Sequence, residues 1–357
     1  MNLNSKQAEV LRESQADGTD LEVVIVDVGH GNAAIVRDGS TCAIIDAPQE
    51  DALFDELYRC AVTSIQHLVL SHSDIDHMGG ATRLLWDRRF DVGTVWCNSD
   101  GIKNTKAWRQ FAQQLNIRSR ANEVDVELTL NTAARTRLCF GRVKVEVLHP
   151  DVEMALLGPT RNRTDVGSLD ANRMSAVVRI SLNDRPAVLL TADIDSVGLN
   201  RLLSQCANLS APVLVFPHHG GHAGGGPDRT FAARLCNHVR PDLVVFSMER
   251  GGPFTNPSPD VIAGVREAAP AVHIACTQLS RNCHSGDIPD IERPLTKRSS
   301  AGRGSNSCCA GTFTISWDLD GLRYDPPLAD HRNFIDRVVA RAMCKVDIGL
   351  AEPQSSQ

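Results

Sequence analysis

The sequence lacks any long apolar run and any excess of positive charge. No segment of the 357 residues approaches the roughly 18 to 20 apolar residues of a membrane-spanning helix, and the N-terminus has no apolar run typical of a signal peptide. We therefore expect a cytoplasmic protein without a membrane partner. The formal net charge of −6 argues against nucleic-acid binding driven by bulk charge, although a local basic groove would not show in that total.

The composition is that of a folded globular protein. Apolar residues make up 42% and charged residues 22% of the chain, which excludes a disordered protein, and the length fits one large domain or two small ones. In a reducing compartment, the eleven cysteines are expected to be buried thiols or metal ligands.

Apolar patterning predicts two blocks of strands with helices between them. Strands are predicted at 21–28, 33–36, 42–45, 67–70, 92–97, 126–130, 137–140, 143–148, 176–182, 187–191, 213–216, 243–247, 272–276 and 311–317. Helices are predicted at 52–61, 81–86, 105–115, 196–205, 229–239, 260–269 and 330–345, and a loop at 151–172. This is an α/β pattern, with two sheets packed face to face and helices on both outer faces.

The same patterning predicts the domain organisation. Residues 1–20 form an N-terminal arm, 21–325 a single domain, and 326–357 a helical tail. Within the domain, residues 280–309 are rich in Ser, Arg, Gly and Cys and are expected to form an irregular insertion.

One short stretch carries the strongest chemical signal. His72, Asp74, Asp76 and His77 fall within six residues, directly after a predicted buried strand and before Gly79-Gly80. Such a cluster is costly to bury unless divalent cations compensate its charges. The stretch therefore predicts a binuclear metal site.

Other predicted strands also end in potential ligands. Asp46, His149, Asp193, and the pair His218 and His219 each follow a strand. In layered sheet proteins such strand ends commonly gather at one edge, where sites form.

Taken in order, these motifs resemble the metallo-β-lactamase superfamily, and most closely the soluble hydrolase domain of ComEC-type DNA-uptake proteins. The resemblance runs from about residue 21 to about residue 275, through the stretches 27–33, 45–46, 71–80, 148–150, 172–175, 191–194 and 217–220. It implies an αβ/βα four-layer sandwich of two mixed sheets, with two divalent metal ions, zinc or manganese, at one edge.

The resemblance also implies a role for each matching residue. His72 and Asp74 would bind one metal, Asp76 and His77 the other, Asp193 would bridge them, and His219 or His218 would complete the second site, with His219 favoured. Asp46 and Asp27 would hold the ligand loops from behind. Asp74 stands where most of the superfamily has His, and this oxygen ligand shifts the preference from zinc towards manganese.

On the substrate side, the resemblance points to four residues. His30 and Asn32 occupy positions where ComEC-like domains usually carry Gln and Asp, so contacts there are expected to differ. Asn172 and His149 are further candidates, and His149 is also a candidate ligand. For His149, a structural role at a strand end is the simpler alternative.

The expected chemistry is hydrolysis by a metal-activated water, with Asp76 or Asp74 accepting its proton. A phosphodiester in nucleic acid or a nucleotide is the natural substrate, which favours a stand-alone nuclease. A protein partner in a defence or repair assembly is a further hypothesis. Two alternatives stay open. One is a small-molecule hydrolase acting on a lactone, phosphorylcholine or cyclic-nucleotide ester, and the other is a non-catalytic scaffold.

A second metal site is conceivable around the 280–309 insertion. Cys276, Cys283, Cys308 and Cys309 flank it, and a structural zinc would hold a segment with little apolar content. Their spacing is not a standard pair of CxxC motifs, so buried free thiols are the alternative.

Overall fold

We describe a computed structural model of the chain. The structure describes residues 21–100, 104–164, 167–286, 295–318 and 321–345. The expected N-terminal arm, 1–20, lies outside these residues, as does the end of the C-terminal tail from 346.

Short strands and amphipathic helices alternate along the described chain. The strands are β1 Leu21–Ile25, β2 Ala34–Asp38, β3 Thr41–Ile45, β4 Ser64–Leu70, β5 Asp91–Cys97, β6 Asp125–Glu127, β7 Val143–His149, β8 Thr160–Thr164, β9 Gly167–Leu169, β10 Val177–Leu182, β11 Arg185–Leu190, β12 Val213–Val215, β13 Leu243–Phe246, β14 His273–Cys276, β15 Phe313–Asp318 and β16 Gly321–Asp325. The α-helices are α1 Asp51–Arg59, α2 Ile75–Met78, α3 Ala81–Trp86, α4 Lys106–Arg120, α5 Val152–Leu157, α6 Ser196–Gln205, α7 Asp228–Val239, α8 Pro259–Ala268 and α9 Leu328–Val338.

Two mixed sheets form the frame. The first has the strand order β16-β15-β1-β2-β3-β4-β5-β6, and the second has the order β14-β13-β12-β11-β10-β7. In the first sheet β3 to β6 run parallel, and in the second β11 to β14 do. Parallel neighbours end at the same edge, which is why ligands distant in sequence can meet there.

Three apolar clusters give the fold four layers. One lies between the sheets and joins residues such as Val36 and Val69 to Val178 and Val213. A second packs the outer face of the first sheet against α1, α3 and α4, and a third packs the second sheet against α6 to α9. This αβ/βα layering confirms the predicted fold class. Within the described residues, no helix combines the length and apolarity needed to cross a bilayer.

The predicted elements differ from the structure in several places. Residues 137–140 are not a strand, because Asn131 accepts a hydrogen bond from the Ala133 amide and starts the 3-10 helix Thr132–Leu138. The predicted loop 151–172 contains α5, β8 and β9, and Asp151 starts α5 by accepting from the Met154 amide. Strand β16 was not predicted at all; its side chains are half-buried or exposed, so it shows little apolar alternation.

The 280–309 segment is largely irregular where the structure describes it. It contains the short 3-10 helix Ala301–Arg303 and single β-bridges to Asp27 and Gln278. Helix α9 ends at Val338, earlier than the predicted 330–345.

Candidate metal centre

The loops that leave β3, β4, β11 and β12 converge at one edge of the two sheets. Asp46 follows β3, His72 follows β4, Asp193 follows β11, and His219 follows β12. Backbone hydrogen bonds tie the first two loops together, since Ala47 N donates to His77 O and Gly80 N donates to Ala47 O. The edge is therefore a fixed framework.

Four side chains at this edge form a group that could hold a metal ion. The ligand atoms of Asp76, His77, Asp193 and His219 all lie within 4.8 Å of one another. His219 Nε2 lies 3.3 Å from Asp76 Oδ2, and His77 Nε2 lies 3.5 Å from Asp193 Oδ1. Among the described residues, no other group of three or more His, Cys, Asp and Glu side chains meets this distance criterion.

The chemistry of this group fits a cation. His77 Nε2, His219 Nε2 and Asp193 Oδ1 are buried, and the structure gives them no hydrogen-bond partner. A buried polar atom without a partner is unfavourable, and a metal ion would satisfy all three atoms together. Two nitrogen and two carboxylate ligands suit a divalent transition metal.

The outward-facing Nδ1 atoms of the two histidines are held by neighbouring groups. His77 Nδ1 lies 2.7 Å from Asp46 Oδ2, and His219 Nδ1 lies 2.8 Å from the Ser247 carbonyl. Donation from Nδ1 to these oxygens leaves Nε2 as the ligand atom, the arrangement expected at metal sites. Asp46 also accepts hydrogen bonds from the amide and the hydroxyl of Ser71.

His72 and Asp74 lie beside this group as a second pair. His72 Nε2 lies 3.8 Å from Asp74 Oδ2, and the centroids of the His72 and His77 rings are 4.0 Å apart. His72 is buried, whereas the side chain of Asp74 is 26% exposed. The structure thus places the two predicted ligand pairs next to each other, with Asp193 adjoining the His77 side.

His218 lies on the other side of Asp193. Its Nδ1 is 3.7 Å from Asp193 Oδ2, whereas His219 belongs to the four-residue group. The tight turn that separates the two rings has positive φ at His218, His219 and Gly220. Glycine is required at 220, because a Cβ there would lie 2.6 Å from both Phe246 and Pro257.

Charges within the group are strongly coupled. Burial would raise the pKa of Asp193, but His77 and His219 outweigh it and hold the pKa well below its ordinary value. Burial would likewise lower the pKa of His77, yet Asp193 and Asp46 raise it well above the usual range. The pKa of Asp76 is lowered in the same way, mainly by His219 and His77 against burial. Without metal, the imidazoles and carboxylates therefore neutralise one another.

The loop after β1 covers the group from one side. His30 Nε2 lies 3.4 Å from Asp76 Oδ2, and its ring stacks on Phe254 at a centroid distance of 5.8 Å. Asn32 N donates to the Asp76 carbonyl, and both polar atoms of the Asn32 side chain are buried without a hydrogen-bond partner. Gly31 permits this approach, because a Cβ would lie 2.2 Å from the Asp76 carbonyl oxygen.

Three other predicted site residues are placed differently. The Asp27 carboxylate accepts from Gly29 N, in the loop after β1, and also from Gln278 Nε2 and Gly302 N, so it ties that loop to the insertion. His149 is buried, and its Nε2 donates to the Arg173 carbonyl, 2.7 Å away. Asn172 is half-buried in the turn that precedes β10.

The four cysteines predicted to bind zinc are not arranged as a zinc site among the described residues. Cys308 Sγ donates to Asp27 Oδ2 at 3.7 Å, which turns it towards Asp27, and Cys309 contacts His331 Nε2 at 3.3 Å. Cys276, Cys283, Cys308 and Cys309 are free thiols, and burial raises their pKa values. The described geometry therefore favours the alternative of buried thiols.

The sequence analysis missed Asn98 and Asp100, which follow β5. Asp100 Oδ2 accepts from the amide and the hydroxyl of Ser73, between His72 and Asp74, and burial raises the Asp100 pKa to about 6. Asn98 Nδ2 donates to the carbonyls of Ser71 and Met174. The rule that found the other residues, polar side chains at parallel strand ends, would have found these two as well.

Comparisons with known proteins agree with this architecture. Residues 26–138 match the family model described as Metallo-beta-lactamase superfamily. No curated protein matches the chain.

Several solved structures are similar in outline. The metallo-β-lactamase fold protein YhfI from Bacillus subtilis is 11% identical, with 71% of this chain and 95% of that chain covered and a TM-score of 0.43. Igni18, a metallo hydrolase from Ignicoccus hospitalis, is 14% identical over 71% and 94%, with a TM-score of 0.41. The short form of human tRNase Z is 11% identical over 63% and 92%, with a TM-score of 0.39. Likenesses of this strength bear on neither substrate nor mechanism.

The matched stretch contains β2 to β6 and the whole run from His72 to His77. Together with the two-sheet, four-layer architecture, this match over residues 26–138 shows the metallo-β-lactamase fold.

Proposed function

We propose that the protein is a metal-dependent hydrolase that cleaves phosphodiesters. One observation carries the proposal: Asp76, His77, Asp193 and His219 converge, and three of their buried ligand atoms have no hydrogen-bond partner. An intact, unsatisfied ligand group is not expected of a non-catalytic scaffold, which would have no need to keep it.

Asp76, His77, Asp193 and His219 would hold one divalent cation, and His72 and Asp74 would contribute to a second beside it. Bound cations of this kind activate water and stabilise the oxygens of an in-line displacement. In the reaction, the water oxygen bonds to phosphorus, the ester P–O bond breaks, and the products are a phosphate monoester and an alcohol.

The residues around the group supply orientation and a route for the proton. Asp46 and the Ser247 carbonyl fix the rings of His77 and His219. The carboxylates of Asp74 and Asp76 are 26% and 18% exposed, so either can meet the attacking water and accept its proton. In this proposal His30, whose Nε2 lies 3.4 Å from Asp76 Oδ2, would contact the substrate beside the metal group.

The oxygen-rich ligand set favours a hard metal and a phosphate ester. Asp74 adds a carboxylate to Asp76 and Asp193, and such ligands suit manganese or magnesium better than an all-histidine set does. Nucleic acid, as in ComEC-like domains, is one candidate substrate class.

A half-open cavity beside the site offers room for the second candidate, a small ester. A cavity of about 520 Å³ includes His30 in its lining. A nuclease would instead need an open, positively lined groove along the metals.

The test is hydrolysis by purified protein with Mn²⁺, Zn²⁺ or Mg²⁺. Substrates are single- and double-stranded DNA, RNA and bis(p-nitrophenyl) phosphate. We expect metal-dependent cleavage of the small diester that falls at least about 100-fold in Asp76→Ala and His77→Ala. Asp184→Asn, in the turn between β10 and β11, is the matched control and should keep full activity.

Two results would decide against parts of this proposal. Cleavage of the small diester with all nucleic acids left intact would exclude the nuclease. Equal activity in wild type, Asp76→Ala and His77→Ala would exclude the metal mechanism.

A further inference from the structure

A buried carboxylate outside the ligand group holds the stretch between the second pair of ligands. Asp100 follows β5, and only 2% of it is exposed. Its Oδ2 accepts hydrogen bonds from Ser73 N at 2.8 Å and from Ser73 Oγ at 2.9 Å. Since Ser73 stands between His72 and Asp74 in the sequence, both bonds fix the backbone from which these two side chains extend.

The same type of contact occurs two residues earlier in the ligand loop, with a different carboxylate. Ser71 N donates to Asp46 Oδ1 at 2.7 Å, and Ser71 Oγ donates to Asp46 Oδ2 at 2.7 Å. Asp46 also holds the ring of His77, a member of the four-residue group. Strands β3 and β5 lie on either side of β4 in the sheet, so the loop after β4 is held from both neighbouring strands.

The ring of His72 is held through the neighbouring serine. His72 Nδ1 lies 3.0 Å from Ser71 Oγ, whose own proton goes to Asp46. His72 Nδ1 can therefore donate to this hydroxyl, which leaves Nε2 as the ligand atom, 3.8 Å from Asp74 Oδ2. The Ser71 carbonyl accepts from Asn98 Nδ2, so the end of β5 supports this side of His72 as well.

Asp100 makes both of its bonds to Ser73 with one oxygen. Among the described residues, its other oxygen, Oδ1, is buried without a hydrogen-bond partner. Asparagine at this position could therefore accept both bonds with its single carbonyl oxygen, while its NH₂ group would take the place of Oδ1. Alanine would leave the amide and the hydroxyl of Ser73 without this acceptor. The two substitutions thus separate the hydrogen bonds of Asp100 from its charge.

We infer that Asp100 is a positioning residue for the second metal ion, the one that His72 and Asp74 would bind. Its bonds to Ser73 hold these two ligands in the arrangement that the ion needs, because a metal site binds tightly only when its ligands are held in place by their surroundings. The inference rests on the proposed function, since it assumes that two cations share the site.

Titration of the purified, metal-free protein with Mn²⁺ tests this role without any hydrolysis. Electron paramagnetic resonance counts the free ions and gives a coupled spectrum when two Mn²⁺ ions lie side by side. In wild type we expect two bound ions and the coupled spectrum. Asp100→Ala should keep the affinity for the first ion, weaken binding of the second by about 10- to 100-fold, and lose the coupled spectrum. Asp100→Asn should restore the coupled spectrum, and Asp184→Asn should match wild type.

A milder variant and urea unfolding separate positioning from folding. Ser73→Ala removes the hydroxyl bond and keeps the bond from the backbone amide, so the second ion should bind about three- to tenfold more weakly. A loss of stability alone would lower the urea midpoint and weaken both ions alike. Ser73→Ala also decides the question if Asp100→Ala does not fold.

Three results have distinct meanings. If Asp100→Ala and Ser73→Ala bind two ions as tightly as wild type does, Asp100 is not a positioning residue, although the hydrolase stands. Equal loss of the second ion in Asp100→Asn and Asp100→Ala would also overturn the inference, because charge and not hydrogen bonding would then be responsible. If the second ion is lost selectively in Asp100→Ala but wild type cleaves no diester, the proposed function fails and the positioning role stands.

Discussion

Asp46 shows how one residue behind the ligands can control the site. Both of its carboxylate oxygens accept hydrogen bonds, one from the Ser71 amide and the other from the Ser71 hydroxyl and His77 Nδ1. It has positive φ, and its own amide donates to the Val69 carbonyl. Its side chain is therefore fixed by β4 on one side and by the ligand loop on the other.

Asp46→Asn should weaken metal binding without unfolding the protein. The amide keeps the size of the carboxylate but has only one acceptor oxygen, so either His77 or Ser71 must face an NH₂ group. We expect metal affinity to fall about 10- to 100-fold, as measured by competition with a chelating dye. Asp184→Asn again serves as control, and an unchanged affinity in Asp46→Asn would show that Asp46 does not orient His77.

At the scale of single residues, the sequence predicted the position of a site residue where the direction of the backbone decides that position. A polar residue at a parallel strand end must emerge at the same edge, and this rule places Asp46, Asp193 and His219 together. Asp27 shows where this rule does not suffice. It also follows a strand, but its carboxylate turns towards Gln278 and Gly302, contacts that join residues more than 250 positions apart. No local pattern reveals such a contact.

At the scale of elements, helix α9 docks on the second sheet through a pair of buried histidines. His273 Nε2 on β14 lies 2.9 Å from His331 Nδ1 on α9, and His331 Nε2 contacts Cys309. Burial lowers the pKa of His273 to about 4 and that of His331 to about 3. Both imidazoles are therefore neutral in the folded protein at neutral pH.

This pair should make stability fall in mild acid. The pKa values of His273 and His331 in the folded protein lie below the ordinary value of 6.5. Below about pH 6.5 the unfolded chain therefore binds protons that the folded chain does not bind. The contribution is complete above pH 6.5 and is lost as the pH falls towards 4, by up to about 1.4 kcal/mol per pH unit for each group. Urea unfolding between pH 7 and pH 4.5 measures this slope.

Matched variants assign the slope to the pair. His331→Leu should reduce the slope of unfolding free energy against pH, because this variant lacks one of the two titrating groups. His238→Asn should not, since His238 is exposed at the end of α7. A slope that is the same in all three proteins would mean that other groups cause the acid sensitivity.

The elements missed in the sequence share a physical reason. Helix α5 buries little, with Leu156 79% exposed, and β16 has only half-buried or exposed side chains. Apolar periodicity reports burial, so it is weak where an element is held by caps and backbone pairing. Strands with a well-buried face, such as β5 and β7, were predicted with nearly correct bounds for the same reason.

At the scale of the whole molecule, a buried ionic network ties the insertion to the first sheet. Arg298 Nη2 lies 2.5 Å from Glu22 on β1, and its Nη1 lies 2.8 Å from Glu56 on α1. Arg37 and Arg59 complete the network on Glu22 and Glu56. Burial would raise the pKa of Glu56, but Arg59 and Arg298 outweigh it and lower that pKa, so Glu56 is ionised inside the fold.

Arg298→Met should therefore lower the stability of the protein. Removing one partner of a buried ionic group leaves uncompensated charge, which costs about 3 kcal/mol of unfolding free energy. In Glu56→Gln/Arg298→Met the loss should be smaller than the sum of the two single losses, because Glu56 no longer needs the guanidinium. Arg229→Met, which breaks only an exposed pair with Glu267, is the control and should leave stability unchanged. Additive losses in the double variant would show that Glu56 and Arg298 do not stabilise each other.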